Sequence, residues 1–295
     1  PGGQARGRSI SLEAVKEYQV VLSPYDVSLG NFTGALINAV TQSGTNDLHG
    51  SAYFYFYNQN LAQNVDFIRQ SQLSVKQYGV SLGGPIVKDK VHFFIAPEWQ
   101  DRSQPANGPY VGQGANATTP LSTDPANIQR FINDLQQYGI TPGTGGLVDN
   151  ANPLTNLFAR VDVALPRFDS RLVVRYNYGS ATDDIFSRSL TTFNLSSNGY
   201  RFRNSTNSPV IQLFSNFDNG SANELTLGYT RVRDKRAPNV LAPQISVTVP
   251  GTQTPTATLV AGSEQFSQGN SLDQDLYELT DNYSFPLDAS HRITV

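Results

Sequence analysis

In "LFARVDVAL", Leu157, Ala159, Val161, Val163 and Leu165 fall on one side and Phe158, Arg160 and Asp162 on the other. An apolar/polar alternation of period two fits an extended strand whose two faces meet different surroundings. The same pattern recurs along the chain. In "RLVVRYNYG", Leu172, Val174, Tyr176 and Tyr178 oppose Arg171, Val173, Arg175 and Asn177. In "NELTLGYT", Leu225, Leu227 and Tyr229 oppose Glu224, Thr226, Gly228 and Thr230. "DLYELTDNYSF" sets Tyr277, Leu279, Tyr283 and Phe285 against Glu278, Thr280, Asn282 and Ser284, with Asp281 an exception on the apolar side. Weaker strand patterns cover Gln77–Pro85, Val91–Gln100 and Pro209–Asp218.

The connections constrain the architecture further. Short turns at "VKDK" (87–90), "PRFDS" (166–170), "DNGS" (218–221) and "LDAS" (287–290) alternate with long loops over about 58–76, 101–153, 180–208 and 234–272. A tight turn forces antiparallel neighbours, so one antiparallel meander is expected from His49 onward. Tight turns on one edge and elaborate loops on the other are the pattern of an up-and-down transmembrane β-barrel, with short inner turns and long outer loops. A soluble sandwich has comparable turns at both ends. Strands of about nine to eleven residues also suit a tilted crossing of the hydrocarbon layer.

Bulk composition would hide such a protein. The hydrophobic fraction is 38% and mean hydropathy is −0.34, and no apolar run is long enough for a membrane helix. Alternating strands average to values of this kind. The net charge of −3 is too balanced to point to nucleic acid. Cysteine is absent, which removes disulfides, thiolate metal sites and cysteine nucleophiles. Methionine is absent too, and "HRITV" ends inside a strand-like pattern, so the chain reads as a fragment of something larger.

Two local segments carry more information. "DPANIQRFINDLQQYGI", inside the longest loop, predicts a helix: Asp124 as N-cap, Pro125 in the first turn, a stripe of Ile128, Phe131, Ile132 and Leu135, and Gly139 as terminator. "HGSAYFYFYNQN" carries five consecutive aromatics, Tyr53 to Tyr57. A strand holding them is aromatic on both faces.

"SLEAVKEYQVVLSPYDVSLGNFTGALINAVTQSGTNDLHGSAYFYFYN" and "KQYGVSLGGPIVKDKVHFFIAPEW", together about Ser11–Gln100, resemble the plug–barrel junction of TonB-dependent outer-membrane receptors of the Oar-like group. The resemblance implies that residues 1–48 are the C-terminal part of a small mixed plug domain. Residues 49–295 would be about the first nine strands of a 22-stranded barrel. His49–Asn60 would be the first of these. Ala52, Phe54 and Phe56 would then face lipid, and Ser51, Tyr53, Tyr55 and Tyr57 would face the lumen and pack on the plug, although aromatics suit the reverse register as well. Farther on, Val161, Val174 and Leu227 are expected toward lipid, and Arg160, Arg175 and Thr226 inward. The function implied is uptake of a large or scarce nutrient, driven by a TonB energy-coupling complex acting through a segment outside this chain. The implied partners are outer-membrane lipid, that complex and an extracellular substrate whose nature is not legible, with no nucleic acid.

No residue set demands covalent chemistry, so no enzyme, cofactor or metal is expected. "SLGGPIVKDK" lacks the phosphate-loop spacing and a following helix; Gly83, Gly84 and Pro85 read instead as the end of a strand entering a turn. His49, His92 and His291 are scattered, without ligand spacing. Asp183–Asp184 and Asp273–Asp275 sit in expected outer loops, where solvated acid is the plain reading and calcium the sharper one. Arg160, Asp162, Arg171, Arg175 and Glu224 read as a structural salt-bridge network across the ladder or toward the plug, with a substrate path as the sharper alternative. Two other functions stand beside transport: a barrel that displays its long loops for adhesion, and a soluble β-rich binding domain.

Overall fold

The computed structural model describes residues 7, 8, 10–22, 35–61, 73–114, 117 and 119–295. A short 3-10 turn (Leu12–Ala14) leads into a two-stranded antiparallel sheet, β1 (Val15–Leu22) with β2 (Ala35–Thr41). The main sheet follows: β3 (His49–Asn58), β4 (Ser74–Val87), β5 (Val91–Pro105), the short β6 (Asp149–Ala151), β7 (Leu154–Leu165) and β8 (Ser170–Ile185). After β9 (Thr192–Asn194) come β10 (Tyr200–Asn216) and β11 (Ala222–Pro238). Beyond β12 (Ile245–Pro250) and β13 (Thr256–Ala261) the chain returns to the main sheet as β14 (Ser271–Pro286) and β15 (Arg292–Thr294). A helix, α1 (Pro125–Gln137), lies between β5 and β6.

The main sheet runs β3-β4-β5-β7-β8-β10-β11-β14-β15, with β6 paired to the outer end of β5. Every neighbour on that path is antiparallel and adjacent in sequence apart from the loop strands. The expected all-β meander is therefore present, in nine strands along the path. The expected loop over 58–76 lies largely outside the described residues.

Three expectations need correction. The strands are longer than a membrane crossing requires: β8 and β14 have 16 residues, β10 and β11 have 17. Pairing continues past the polar residues that looked like loop, out to Tyr200↔Ile185 and Tyr200↔Pro238, because cross-strand pairs and backbone bonds hold a strand together whatever the face meets. Second, Gly83 and Gly84 lie inside β4, which runs on to Val87 with a register shift near Pro85. Third, not all pairing is antiparallel. β13 pairs in parallel with β9 over Thr258–Val260 and Thr192–Asn194, in a separate sheet built only from loops.

Cross-strand register sorts the faces, since opposite residues share a side. Phe93, Val161, Val174, Ile211, Leu227 and Leu279 form one continuous row. The adjacent row on the other face is Phe94, Arg160, Arg175, Val210, Gly228 and Glu278. Thr226 shares this second face, opposite Gln212 and Thr280. We call this the inner face, because the N-terminal segment packs on it. Ala14, Phe94, Ala96 and Phe158 are buried together there, with Ile10 against them. The aromatic strand keeps the expected register: Phe54 stacks on Tyr78 and Tyr78 on Trp99 on the outer face, while Tyr53 points inward to Glu98. Asp281, the exception on the outer face, accepts a bond from Asn223 Nδ2 at 2.6 Å, which satisfies one carboxylate oxygen where the pattern calls for an apolar residue.

Candidate functional site

Two places combine unusual chemistry with deliberate construction. The first is the seam between the N-terminal segment and the inner face. Glu98 is fully buried on β5, a position almost never given to an unpaired carboxylate. Tyr53 Oη donates to its Oε2 at 2.5 Å, the Leu12 backbone N–H donates to the same oxygen at 3.2 Å, and Arg8 Nη1 stands 3.5 Å from Oε1. Nearby, Ser51 Oγ donates to Glu13 Oε2 at 2.6 Å. Farther along the seam, Arg160 grips Asp162 with two 2.7 Å bonds and donates Nη1 to Thr41 Oγ1 at 2.9 Å and to the Thr41 carbonyl at 3.2 Å. Three strands thus reach up to hold one segment.

The two motifs that carried the family resemblance meet in this seam. Asn46, from "SGTN", accepts from the Asp89 backbone N–H at 2.8 Å and donates to Asp89 Oδ1 at 2.5 Å, in the "KDK" turn. His92 Nε2 lies 2.8 Å from Asn46 Oδ1. Asp89 has φ 62, a left-handed value that Asp tolerates better than most residues, and the Asn46 clamp holds it there. Gly44 passes so close that a Cβ would lie 2.2 Å from the Phe93 carbonyl oxygen. Here glycine is required by the approach of one backbone to another. Gly83 and Gly84 serve the same crossing from below, beneath His49 and Leu48.

The second place is a module built by three loops. Ile128, Phe131 and Leu135 of α1 pack with Phe193 and Leu195 around β9 and with Leu259 and Ala261 of β13. α1 has the expected caps: Asp124 accepts from the Ala126 N–H at 2.8 Å, and Gly139 follows the helix at φ +73. At its base Arg188, 7% exposed, donates to four carbonyls: Asn194 at 2.8 Å, Gly146 at 2.9 Å, Thr144 at 3.1 Å and Pro109 at 3.4 Å. Its guanidinium also sits 4.8 Å from the Phe186 ring centre and 4.6 Å from that of Phe193. Burial lowers it to about 10, so it stays charged at neutral pH. Gly108, at φ +99, would bring a Cβ within 2.1 Å of the Arg188 carbonyl oxygen.

The residues expected to form a charge network are only partly brought together. Arg160 and Asp162 pair along one strand, not across the ladder. Arg171 lies over the Phe214 ring at 5.0 Å, and Glu224 accepts from Gln212 at 3.3 Å. Arg175 faces Arg160 across the ladder. The acidic pairs expected in loops belong to strands: Asp184 is bidentate with Arg201 at 2.5 and 2.9 Å, and Asp273 and Asp275 flank Arg233 at 3.6 and 2.7 Å. Arginine occupies the place a cation would take. His49 stacks at 6.4 Å on Phe94, and His291 lies 2.9 Å from Asp288. Among the described residues no group of three or more His, Asp or Glu is placed to hold a metal ion. Glu98 and Arg188 escaped sequence reading because a single acid or base in a strand or loop carries no spacing signal.

A family model described as outer membrane beta barrel domain matches residues 40–291. The TonB-dependent transporter Oar of Myxococcus xanthus is 37% identical over 94 residues, which are 29% of this chain and 9% of that protein. The chain thus matches only a small part of that relative's length. With one face of the sheet apolar, the other seated on an N-terminal segment, and the family model spanning most of the length, this chain belongs to the outer membrane beta barrel domain family and resides in the bacterial outer membrane.

Proposed function

We propose that the chain is the plug–barrel junction of a TonB-dependent active transporter of the Oar-like group. Residues 1–48 end the plug and 49–295 begin the barrel. The observation that carries this reading is the seam: among the described residues the segment is held inside the sheet chiefly by hydrogen bonds and ion pairs, and the buried apolar cluster beneath it takes only Ile10 and Ala14 from the segment. Polar contacts of this kind can be exchanged for water at about 0.5–1.5 kcal/mol net each. A plug held so can be displaced by a pulling force without breaking a hydrophobic core. The coupling complex would act on a segment upstream, substrate would bind at the outer loops, and passage would follow the inner face. That cycle needs no covalent chemistry, cofactor or metal from these residues. The resemblance to a TonB-dependent transporter over 94 residues supports it.

The competing reading is a display or adhesion barrel, favoured by the folded loop module. The two differ in whether the seam moves. Ser11 is fully buried, so in the full-length protein in living cells Ser11→Cys reports opening through its rate of reaction with a water-soluble maleimide. Transport predicts faster labelling in energised cells and a fall to the resting rate when the proton gradient is collapsed. A rate indifferent to the gradient favours display.

A further inference from the structure

The outer face changes character abruptly along β11. Leu225 and Leu227 are followed on that face by Tyr229, then by Arg231, Arg233 and Lys235. Leu227 lies in the apolar row with Val174, Ile211 and Leu279, and Tyr229 stacks on Tyr277 at 5.0 Å. From Leu227 to Arg233 is ~20 Å of strand at about 3.4 Å per residue, or ~14 Å along the membrane normal for a tilt near 45°. The apolar band of such a wall is about 25 Å tall. From Ala222, next to the short turn, Leu227 stands near its middle. Arg233 and Lys235 therefore emerge where hydrocarbon gives way to lipid headgroups.

At that level the outer face holds a groove of about 490 Å³. Arg203, Arg233 and Lys235 supply its cations, and Thr182, Ser205 and Ser271 its hydroxyls. Register places all six on the outer side: Arg203 lies opposite Thr182 and Lys235, Ser205 opposite Arg233, and Lys235 opposite Ser271. Asp273 also lines it but stands 3.6 Å from Arg233, whose other partner is Asp275 at 2.7 Å. Arg203 and Lys235 are exposed and have no carboxylate partner among the described residues. Two free cations among hydroxyls, directly above tyrosines and a leucine row, match an amphiphile with an anionic head and acyl tails. Phosphate is the head that a guanidinium, an ammonium and hydroxyls together suit best.

We propose that this groove binds the phosphate-bearing headgroup of a lipid in the outer leaflet, its tails lying against Ile211, Leu227 and Leu279. The inference rests on the membrane position of the sheet and is independent of transport. The probe is dioleoyl phosphatidic acid, titrated onto the full-length protein in neutral detergent and counted by native mass spectrometry, with dioleoylglycerol as the same lipid lacking phosphate. The expected result is retention of phosphatidic acid but not of dioleoylglycerol, weakened about tenfold by R203S/K235S, a change of about 1.4 kcal/mol, and preserved by R203K/K235R. R171S, which removes an inner-face cation, should leave binding unchanged. The proposal is overturned if R203S/K235S binds like the parent, if R171S weakens binding equally, or if dioleoylglycerol is retained as well. Displacement of the lipid by inorganic phosphate at equal concentration would also overturn it, since the site would then belong to free phosphate.

Discussion

The seam under the N-terminal segment and the module above the sheet are both places where distant parts of the chain meet, yet they are joined by opposite chemistry. In the seam, Glu98, Arg160 and Asn46 reach across with polar bonds, and among the described residues the apolar contribution is small. In the module, seven buried apolar side chains from three loops form a core, and the one buried cation is enclosed by carbonyls and rings. Apolar burial is lost outright when surfaces part, whereas a polar bond is exchanged for one to water. The module is thus built to stay shut and the seam to be remade.

The largest effect that tests this contrast is expected in the module. Arg188→Met would leave four carbonyls without their donor, and Phe193→Ala would open a cavity in the core. Each should cost about 3–5 kcal/mol of local stability. Hydrogen exchange should rise together over α1, β9 and β13, while β7 and β8 keep their protection. Exchange confined to residues beside 188 would show that the loops do not act as one unit.

Next comes the wall. Val174→Arg, on the outer row, should cost roughly 2–4 kcal/mol near the midplane. Arg175→Ala, one residue away on the inner face, should cost far less: its Nε already lacks a hydrogen-bond partner and it faces Arg160. Denaturant unfolding in lipid vesicles compares them. A costlier Arg175→Ala would mean that Arg175 holds the segment inside.

A smaller effect belongs to the seam itself. Glu98→Gln keeps the shape but removes the charge that faces Arg8, and should cost about 1–2 kcal/mol. Its signature is faster maleimide labelling of Ser11→Cys with the melting of the sheet unchanged. A loss of global stability without faster labelling would make Glu98 a strand residue and not a latch.

The smallest effect lies in the turn after β14. Bonds from the Ser290 backbone and the His291 ring hold the exposed Asp288 carboxyl below its ordinary 3.8. A carboxylate whose folded value is depressed adds stability above its unfolded value and loses it as pH falls through the folded one. Asp288→Asn should therefore be distinguishable from the parent at pH 6 and converge with it once the pH has fallen through the depressed folded value. A difference that persists in acid would assign the effect to packing.

Much of this arrangement is legible in the sequence. Period-two alternation placed Val161, Val174 and Leu227 on one face and Arg160, Arg175 and Thr226 on the other, because a pleated strand leaves neighbours no choice. Short turns forced the antiparallel path, and Asp124, Pro125 and Gly139 marked α1 because capping chemistry is local. Strand ends were less legible. Arg201, Arg203 and Lys235 looked like loop, yet they continue the ladder, since backbone bonding does not depend on the polarity of the face.

By itself the sequence determined the central strands of the meander, their order and their two faces, all consequences of local sterics and of a repeat two residues long, but not the strand ends or the loop-built sheet of β9, β12 and β13. Only the tertiary structure decided what those faces meet. Glu98 became a latch because the N-terminal segment, with Leu12 and Arg8, lies across it. Arg188 became a keystone because loops far apart in the chain fold over it. Arg203 and Lys235 became neighbours because β10 and β11 are in that register. Each depends on contacts between residues far apart in sequence, and such contacts leave no period or spacing to read.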